Sequence, residues 1–567
     1  MIFRCIKEKM LLFLLTAFII PGFSLTSQEK LLDIMKSEIN REFVELKKQE
    51  LPPYFMSYRI NDVYKVHITT SFGNIYTSEA TRERILTTDV RIGSNKRDNS
   101  HEIRDDNPFS MINRMGGGSK VPIDDEPLAV KQALWKATNE AYRAAADKYA
   151  KVKANLERKV AEEDQSDDFS AESPFVHYEP PLPQEFYKID MDKWNQKIKK
   201  YSEVFLAEPD IYVGNSGLTF VIERKYFVST EGNSIAENYV SARIYVSGTI
   251  KADDGMELPL YETYMAFSPD KLPSDEKIIE DAKKIVAKLK ELKNSPVVEP
   301  YTGPALLTGK ASGVFFHEIF GHRIEGQRMK SESDAQTFKK KVGEKVLNEN
   351  LSVIMDPTLN SFEGQDLNGF YKYDDEGIKA EKVNVVENGI LKGFLMSRMP
   401  IINFPKSNGH GRAEAGRQPV TRQSNLIVSS NKMYTYDELK QMLRDEAKKQ
   451  GLQYAYLFEK VTGGFTMTGR FIPNAFNVTP TEVYRVYTDG RPDELVRGVD
   501  LVGTPLAMFS QIEAAGGSTE VFTGTCGAES GGVPVSAVSP ALLVKQIEMQ
   551  KKERSEEHTS ELQSPNT

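Results

Sequence analysis

The residues with the most specific chemistry lie at His317-Glu318-Ile319-Phe320-Gly321-His322. Two neutral imidazoles can hold a divalent ion, and a carboxylate beside the first can take a proton from the ion's water; these are the parts of a hydrolytic zinc site. The usual arrangement places the histidines at i and i+4 on one helix face. Here they stand at i and i+5, about 500° of rotation, which leaves them roughly 140° apart on a regular helix. The spacing therefore predicts an irregular helix: a π-bulge adds the needed residue to the turn, and Gly321 permits the distortion.

A catalytic zinc normally has three protein ligands and one open position, so a third donor is required. Cys526, in Thr523-Gly524-Thr525-Cys526-Gly527, is the natural candidate, since a thiolate bound to zinc is protected from the pairing that a free exported thiol risks. The competing reading is an inert buried thiol. The chain has only two cysteines, and the other, Cys5, lies in an N-terminal segment with the layout of a signal peptide. Arg4, Lys7 and Lys9 precede the apolar run Met10 to Ile20, which Pro21-Gly22-Phe23-Ser24 breaks. That run is too short for the roughly 20 residues of a membrane-spanning helix. Cleavage near residue 24 would leave Cys526 alone, in an exported protein, periplasmic or extracellular.

Positioning these residues falls to a chain of 567 residues, long enough for two to four domains. Its 40% hydrophobic and 27% charged residues exclude wholesale disorder, and a net charge of −8 argues against nucleic acid as a partner. Leu31 to Lys48 has helical periodicity, and alternation follows through Tyr64 to Thr69 and Arg84 to Ile92. Met115 to Ser119 reads as a glycine-rich connection. A long helix starts near Asp124 and runs into a charged excursion near 145–185, expected to be solvated rather than core. Strand-like runs flank the turn Ser229 to Asn233, and Ser274 caps a helix reaching about Lys293. Asn294-Ser295-Pro296 separates a unit at 25–295 from a strand-rich unit at 296–549, interrupted by a helix over 436–450. Lys545 to Arg554 reads as the end of a charged helix, and the tail within 550–567 resembles translated vector sequence. The expected class is α+β in two main units: a helix plus antiparallel strands, then a strand-rich unit holding the irregular metal-binding helix.

His317 to His322 followed by Arg323-Ile324-Glu325-Gly326, with Cys526-Gly527 and Gly532-Val533-Pro534-Val535, resembles the TldD/PmbA family of zinc metallopeptidases. Tyr373 to Gly377, Asn388 to Arg398 and Gly409 to Arg412 agree. The resemblance is strong over about 300–545 and weaker before it. It implies one zinc per chain at His317, His322 and Cys526, with Glu318 as general base, and a C-terminal metallopeptidase domain acting on peptides or unfolded segments. It also implies an oligomer, either homo-oligomeric or with a PmbA-like subunit that lacks the metal motif. The rival reading is a non-catalytic peptide-binding or assembly subunit with a structural metal; Glu318, needed to activate water but not to hold zinc, favours the enzyme. His410 and Arg412, in a glycine-flanked loop, are candidate oxyanion or substrate donors. Glu325 is a candidate acceptor behind a ligand imidazole. Asp374-Asp375-Glu376 lacks the alternating oxygen ligands of a calcium loop and reads as a tight turn.

Overall fold

Leu31, Leu32, Met35 and Ile39 recur at helical spacing and form the buried stripe of α1 (Lys30–Leu46). In the computed structural model, which describes residues 29–102, 118–156, 164–469 and 476–552, this stripe packs on a long antiparallel sheet. The signal-peptide segment, most of the connection at 115–119, positions 157–163 of the excursion and the tail beyond 552 lie outside the described residues.

The main strands of this first sheet are β1 (Pro53–Ser71), β2 (Asn74–Ser94), β3 (Ile211–Ser229), β4 (Ser234–Lys251) and β5 (Glu257–Ala266), in the order β2-β1-β3-β4-β5. Alternation decides its two faces. Ile222, Phe220 and Leu218 of β3 and Ala242, Ile244 and Val246 of β4 point to a core completed by α3 (Met191–Glu203) and α4 (Asp275–Lys293). Ser274 caps α4 by accepting the Lys277 N–H, as its position predicts. Between β2 and β3 lies α2 (Pro127–Leu156), which packs with α1.

The second sheet is built around β6 (Tyr301–Leu307), β7 (Leu351–Met355), β8 (Asn425–Ser430), β9 (Tyr454–Thr466), β10 (Phe476–Tyr487), β11 (Val499–Gly503), β12 (Ile512–Ala528) and β13 (Gly531–Lys551). β13 pairs with both β11 and β6, and β11-β10-β9-β6 completes the path, so these five strands close into a ring. Helix α5 (Gly309–Ile319) lies against this ring. Its residues Ala311, Val314, Phe315, Phe316 and Ile319 are buried on every side, as expected of a helix that is apolar all round. On the outer side α6 (Tyr436–Lys449) carries a complete capping box between Thr435 and Glu438. The architecture is α+β, with helices gathered on sheet faces.

Two expectations are corrected here. Lys545–Lys551 is strand, the end of β13, not helix. Ile547 and Met549 are buried while Glu548 and Gln550 are exposed, so the period is two. Part of the expected excursion is not solvated: Asp164, Asp168, Phe169 and Ser170 are buried, whereas positions 171–186 are exposed or half-buried as expected. Arg398 lies 3.8 Å above the Phe169 ring, its N–H groups reach Glu231 at 2.7 and 2.8 Å, and its carbonyl accepts the Ser170 N–H at 2.8 Å. A segment of polar composition is thus held as the seam between the two sheets.

Further contacts tie the sheets together. Arg59 of β1 donates to the Arg417 carbonyl at 2.7 Å, Lys225 of β3 to the Tyr373 carbonyl at 2.8 Å, and Tyr261 of β5 to the Thr462 carbonyl at 2.6 Å. The Asp374 to Glu376 run is a turn, as expected, but a largely enclosed one: Asp374 is buried, and the half-buried Asp375 lies 3.2 Å from the Lys225 ammonium.

Candidate metal centre

His317 stands in the last turn of α5. The helix ends at Ile319; Phe320 leaves helical geometry at φ −121°, and Gly321–Arg323 forms a single 3₁₀ turn. The irregularity that the i, i+5 spacing demands is therefore a helix terminus followed by a tighter turn, not a π-bulge. The break swings His322 back beside His317, with ring centroids 5.0 Å apart and planes at 83°. Gly321 serves close approach rather than an unusual dihedral, because a methyl group there would collide with the buried Gln423 amide.

Cys526 comes from β12, opposite Val533 of β13. Its Sγ lies 3.4 Å from His322 Nε2, and the three donor atoms of His317, His322 and Cys526 fall within 4.8 Å of one another. Donors around a tetrahedral zinc are separated by about 3.5 Å, and imidazole with thiolate is a set that zinc accepts, so these residues fit the ion after a small closure. Burial raises the Cys526 thiol pKa, but the two neighbouring imidazoles outweigh it and hold the thiol well below its ordinary range.

Glu325 is fully buried behind His322, its Oε1 3.2 Å from Nδ1. Burial opposes its ionisation, yet His322 and the Arg328 guanidinium, 2.8 Å away, bring its pKa down to about 2. An ionised Glu325 fixes the proton of His322 on Nδ1 and leaves Nε2 free to face Cys526. Glu318 follows His317 on α5. Burial raises its pKa against the pull of the histidines, and its Oε2 has no hydrogen-bond partner. Both it and the three donors line a cavity of about 590 Å³.

His410 and Arg412 are not among the residues lining this cavity. His410 is fully buried, its Nδ1 3.0 Å from Asn408 Oδ1, and burial brings its pKa down to about 3. Arg412 donates to the Gln423 carbonyl at 2.6 Å and stacks over Tyr371. Both support the loop behind the site rather than reach into it. Sequence reasoning passed over Arg422 and Gln423. Arg422 donates to the Cys526 carbonyl at 2.5 Å and to Ser530 and the Gly531 carbonyl at 2.8 Å, clamping the β12-β13 turn. The Gln423 amide lies 3.5 Å from His317 Nε2. The signal was the polar run Thr421 to Asn425 entering a strand, all of it buried.

Residues 300–551 match the family model of the PmbA/TldA metallopeptidase C-terminal domain. A "Metalloprotease" of Archaeoglobus fulgidus is 32% identical over 268 residues, 47% of this chain and 57% of that protein. A "Zinc metalloprotease TldD homolog" of Saccharolobus solfataricus is 24% identical over 338 residues, 58% and 69% of the two chains. The chain spans about half the length of the first of the curated relatives it matches. The crystal structure of TldE from Thermococcus kodakarensis shares the fold over 91% of this chain and all of that one, at TM-score 0.61 and 16% identity. The C-terminal unit is thus similar to metalloproteases, and the α+β architecture extends through both units.

Proposed function

We propose that this protein is a zinc metallopeptidase that hydrolyses peptide bonds in peptides or unfolded segments, with His317, His322 and Cys526 as ligands and Glu318 as general base. One observation carries the reading: two imidazoles and a thiol converge beside a cavity into which an unpartnered carboxylate, not required as a ligand, also opens. Bound at these donors, zinc supplies Lewis-acid polarisation of a carbonyl and acidification of water. The chain's own residues do the rest. Glu318 Oε2 accepts the proton of the attacking water and returns it to the leaving amine, a role suited to a carboxyl whose proton affinity burial raises. Glu325 keeps His322 oriented through Nδ1, and Arg422 holds the turn that presents Cys526.

The reading extends to export, on the strength of the basic N-terminus and the apolar run at 10–20, and to an oligomer with a second copy or a PmbA-like subunit. Among the described residues no helix is long and apolar enough to cross a membrane.

The deciding experiment measures bound metal and peptide hydrolysis in the purified protein and in Glu318→Gln. Equal zinc with hydrolysis lost by about 10²-fold or more is expected, the scale of a general base. Equal hydrolysis in both proteins refutes the mechanism.

A further inference from the structure

The cavity that holds the metal donors is walled on one side by the first sheet. Arg243 of β4 lies there with Tyr261 and Thr263 of β5. Its sequence neighbours Ala242 and Ile244 point into the core under α4, so alternation turns Arg243 to the opposite face. That face carries a cross-strand row in which Arg243 pairs with Thr219 and Thr219 with His67, whose Nδ1 lies 3.2 Å from Thr219 Oγ1.

The other arginine lining the cavity among the described residues, Arg328, is spoken for: Glu325, Asp334 and Glu529 lie 2.8, 3.6 and 3.4 Å from its nitrogens. Arg243 differs. Its Nη2 is buried without a hydrogen-bond partner, and no carboxylate forms an ion pair with the guanidinium among the described residues. The nearby phenols of Tyr239 and Tyr261 do not neutralise it, since burial pushes both up to about 12. A guanidinium is always charged and offers a planar fork of donors that matches a carboxylate. Arg243 itself is half-buried, but leaving one nitrogen of such a charge buried and unpaired beside a cavity is costly unless a ligand completes it.

We infer that Arg243 is a specificity-determining residue that binds a carboxylate of the substrate, so that the peptides taken carry a free carboxylate, chain-terminal or on an Asp or Glu side chain, close to the bond presented to Glu318. The inference rests on reading the cavity as a peptide site and names the substrate class for it.

The test measures binding separately from hydrolysis. Fluorescein-labelled peptides are titrated against the Glu318→Gln protein by anisotropy in two pairs. One pair compares a C-terminal acid with its amide, and the other an internal Glu with Gln in an amidated peptide. A charge-assisted pair is worth about tenfold or more in Kd. At least one acid form is expected to bind about tenfold more tightly than its neutral counterpart, and the responding pair tells which source of carboxylate is read. Adding Arg243→Gln should bring the acid form to within about twofold of the neutral one. Arg243→Lys, which keeps the charge, should retain part of the preference and guards against loss through misfolding. Absence of preference in both pairs, or a preference that survives Arg243→Gln, overturns the inference. Peptides bound with the expected preference but not cut by the wild-type protein would refute the proposed hydrolysis and leave the role of Arg243 standing. Peptides cut with no preference would do the reverse.

Discussion

His322 turns its two nitrogens to different partners, Nε2 to the Cys526 thiol and Nδ1 to Glu325. The donor set thus depends on a residue that ligates nothing. Replacing Glu325 by Gln removes the charge that holds the imidazole in place, and such outer partners are worth about 10–100-fold in metal affinity. Glu325→Gln is expected to weaken zinc binding by that factor in a competitive chelator titration; unchanged affinity would show that His322 orients itself. Cys526→Ser exchanges a soft thiolate for a hydroxyl and should leave the purified protein with substoichiometric zinc by elemental analysis. The histidines and Glu318 were legible because their chemistry is stated by residue type and short spacing. His410 and Arg412 misled because flanking glycines suggest an open loop. Gly409 and Gly411 instead pack against the Lys379 backbone and the Glu376 carboxylate, which leaves no room for solvent.

At the scale of elements, the proposed role of Glu318 depends on how closely strand β9 approaches helix α5. Gly464 lies directly over Glu318: an added methyl would stand 2.7 Å from Glu318 Cγ and 2.7 Å from the Asn477 carbonyl oxygen. Gly464→Ala should displace Glu318 first, since the atoms nearest that methyl belong to Glu318 and to the Asn477 carbonyl rather than to the three donors. A misplacement on the ångström scale can cost about 10²-fold in rate, so the expected result is a fall of that size in kcat with zinc content unchanged. Normal turnover would mean that Glu318 has slack. The end of α5 makes a similar point. The i, i+5 spacing excluded a regular helix, but whether the chain would bulge or stop could be read only once the Gln423 amide was seen filling the space beside Gly321. Lys545–Lys551 was misread because charges three apart, at Lys545, Glu548 and Lys551, resemble one face of a helix end when pairing with β11 and β6 is unknown.

Across the whole molecule, the first sheet is a wall of the metal cavity, so its attachment matters to function. Asp375 is one of its fasteners. Burial opposes ionisation, but Lys225 and Arg59 from the first sheet outweigh it and hold the carboxyl below its usual range. A depressed pKa contributes stability that is present above the unfolded value of about 3.9 and lost as pH falls through the folded one. Asp375→Asn should therefore destabilise the protein by about 1–3 kcal/mol at pH 7, and the difference from wild type should shrink in thermal melts below about pH 4. A difference that stays constant from pH 7 to pH 3 would refute the assignment. Arg398 fastens the seam at 164–170, so Arg398→Ala should expose that segment to limited proteolysis well before the rest of the chain unfolds.

Residue types and local periodicity were enough to name the candidate donors, Glu318 beside them, the α+β class and most strand-forming runs. These follow from residue chemistry and from periods of 2 and 3.6 that act within a few positions of the chain. Only the tertiary structure decided that Cys526, some 200 residues away, meets the histidines. It also decided that Arg422 and Gln423 serve the site while His410 does not, and that Arg243 of the first unit looks into the cavity of the second. Those outcomes depend on burial and on which strands pair across long separations, and a partner's distance in space leaves no periodic trace in the chain.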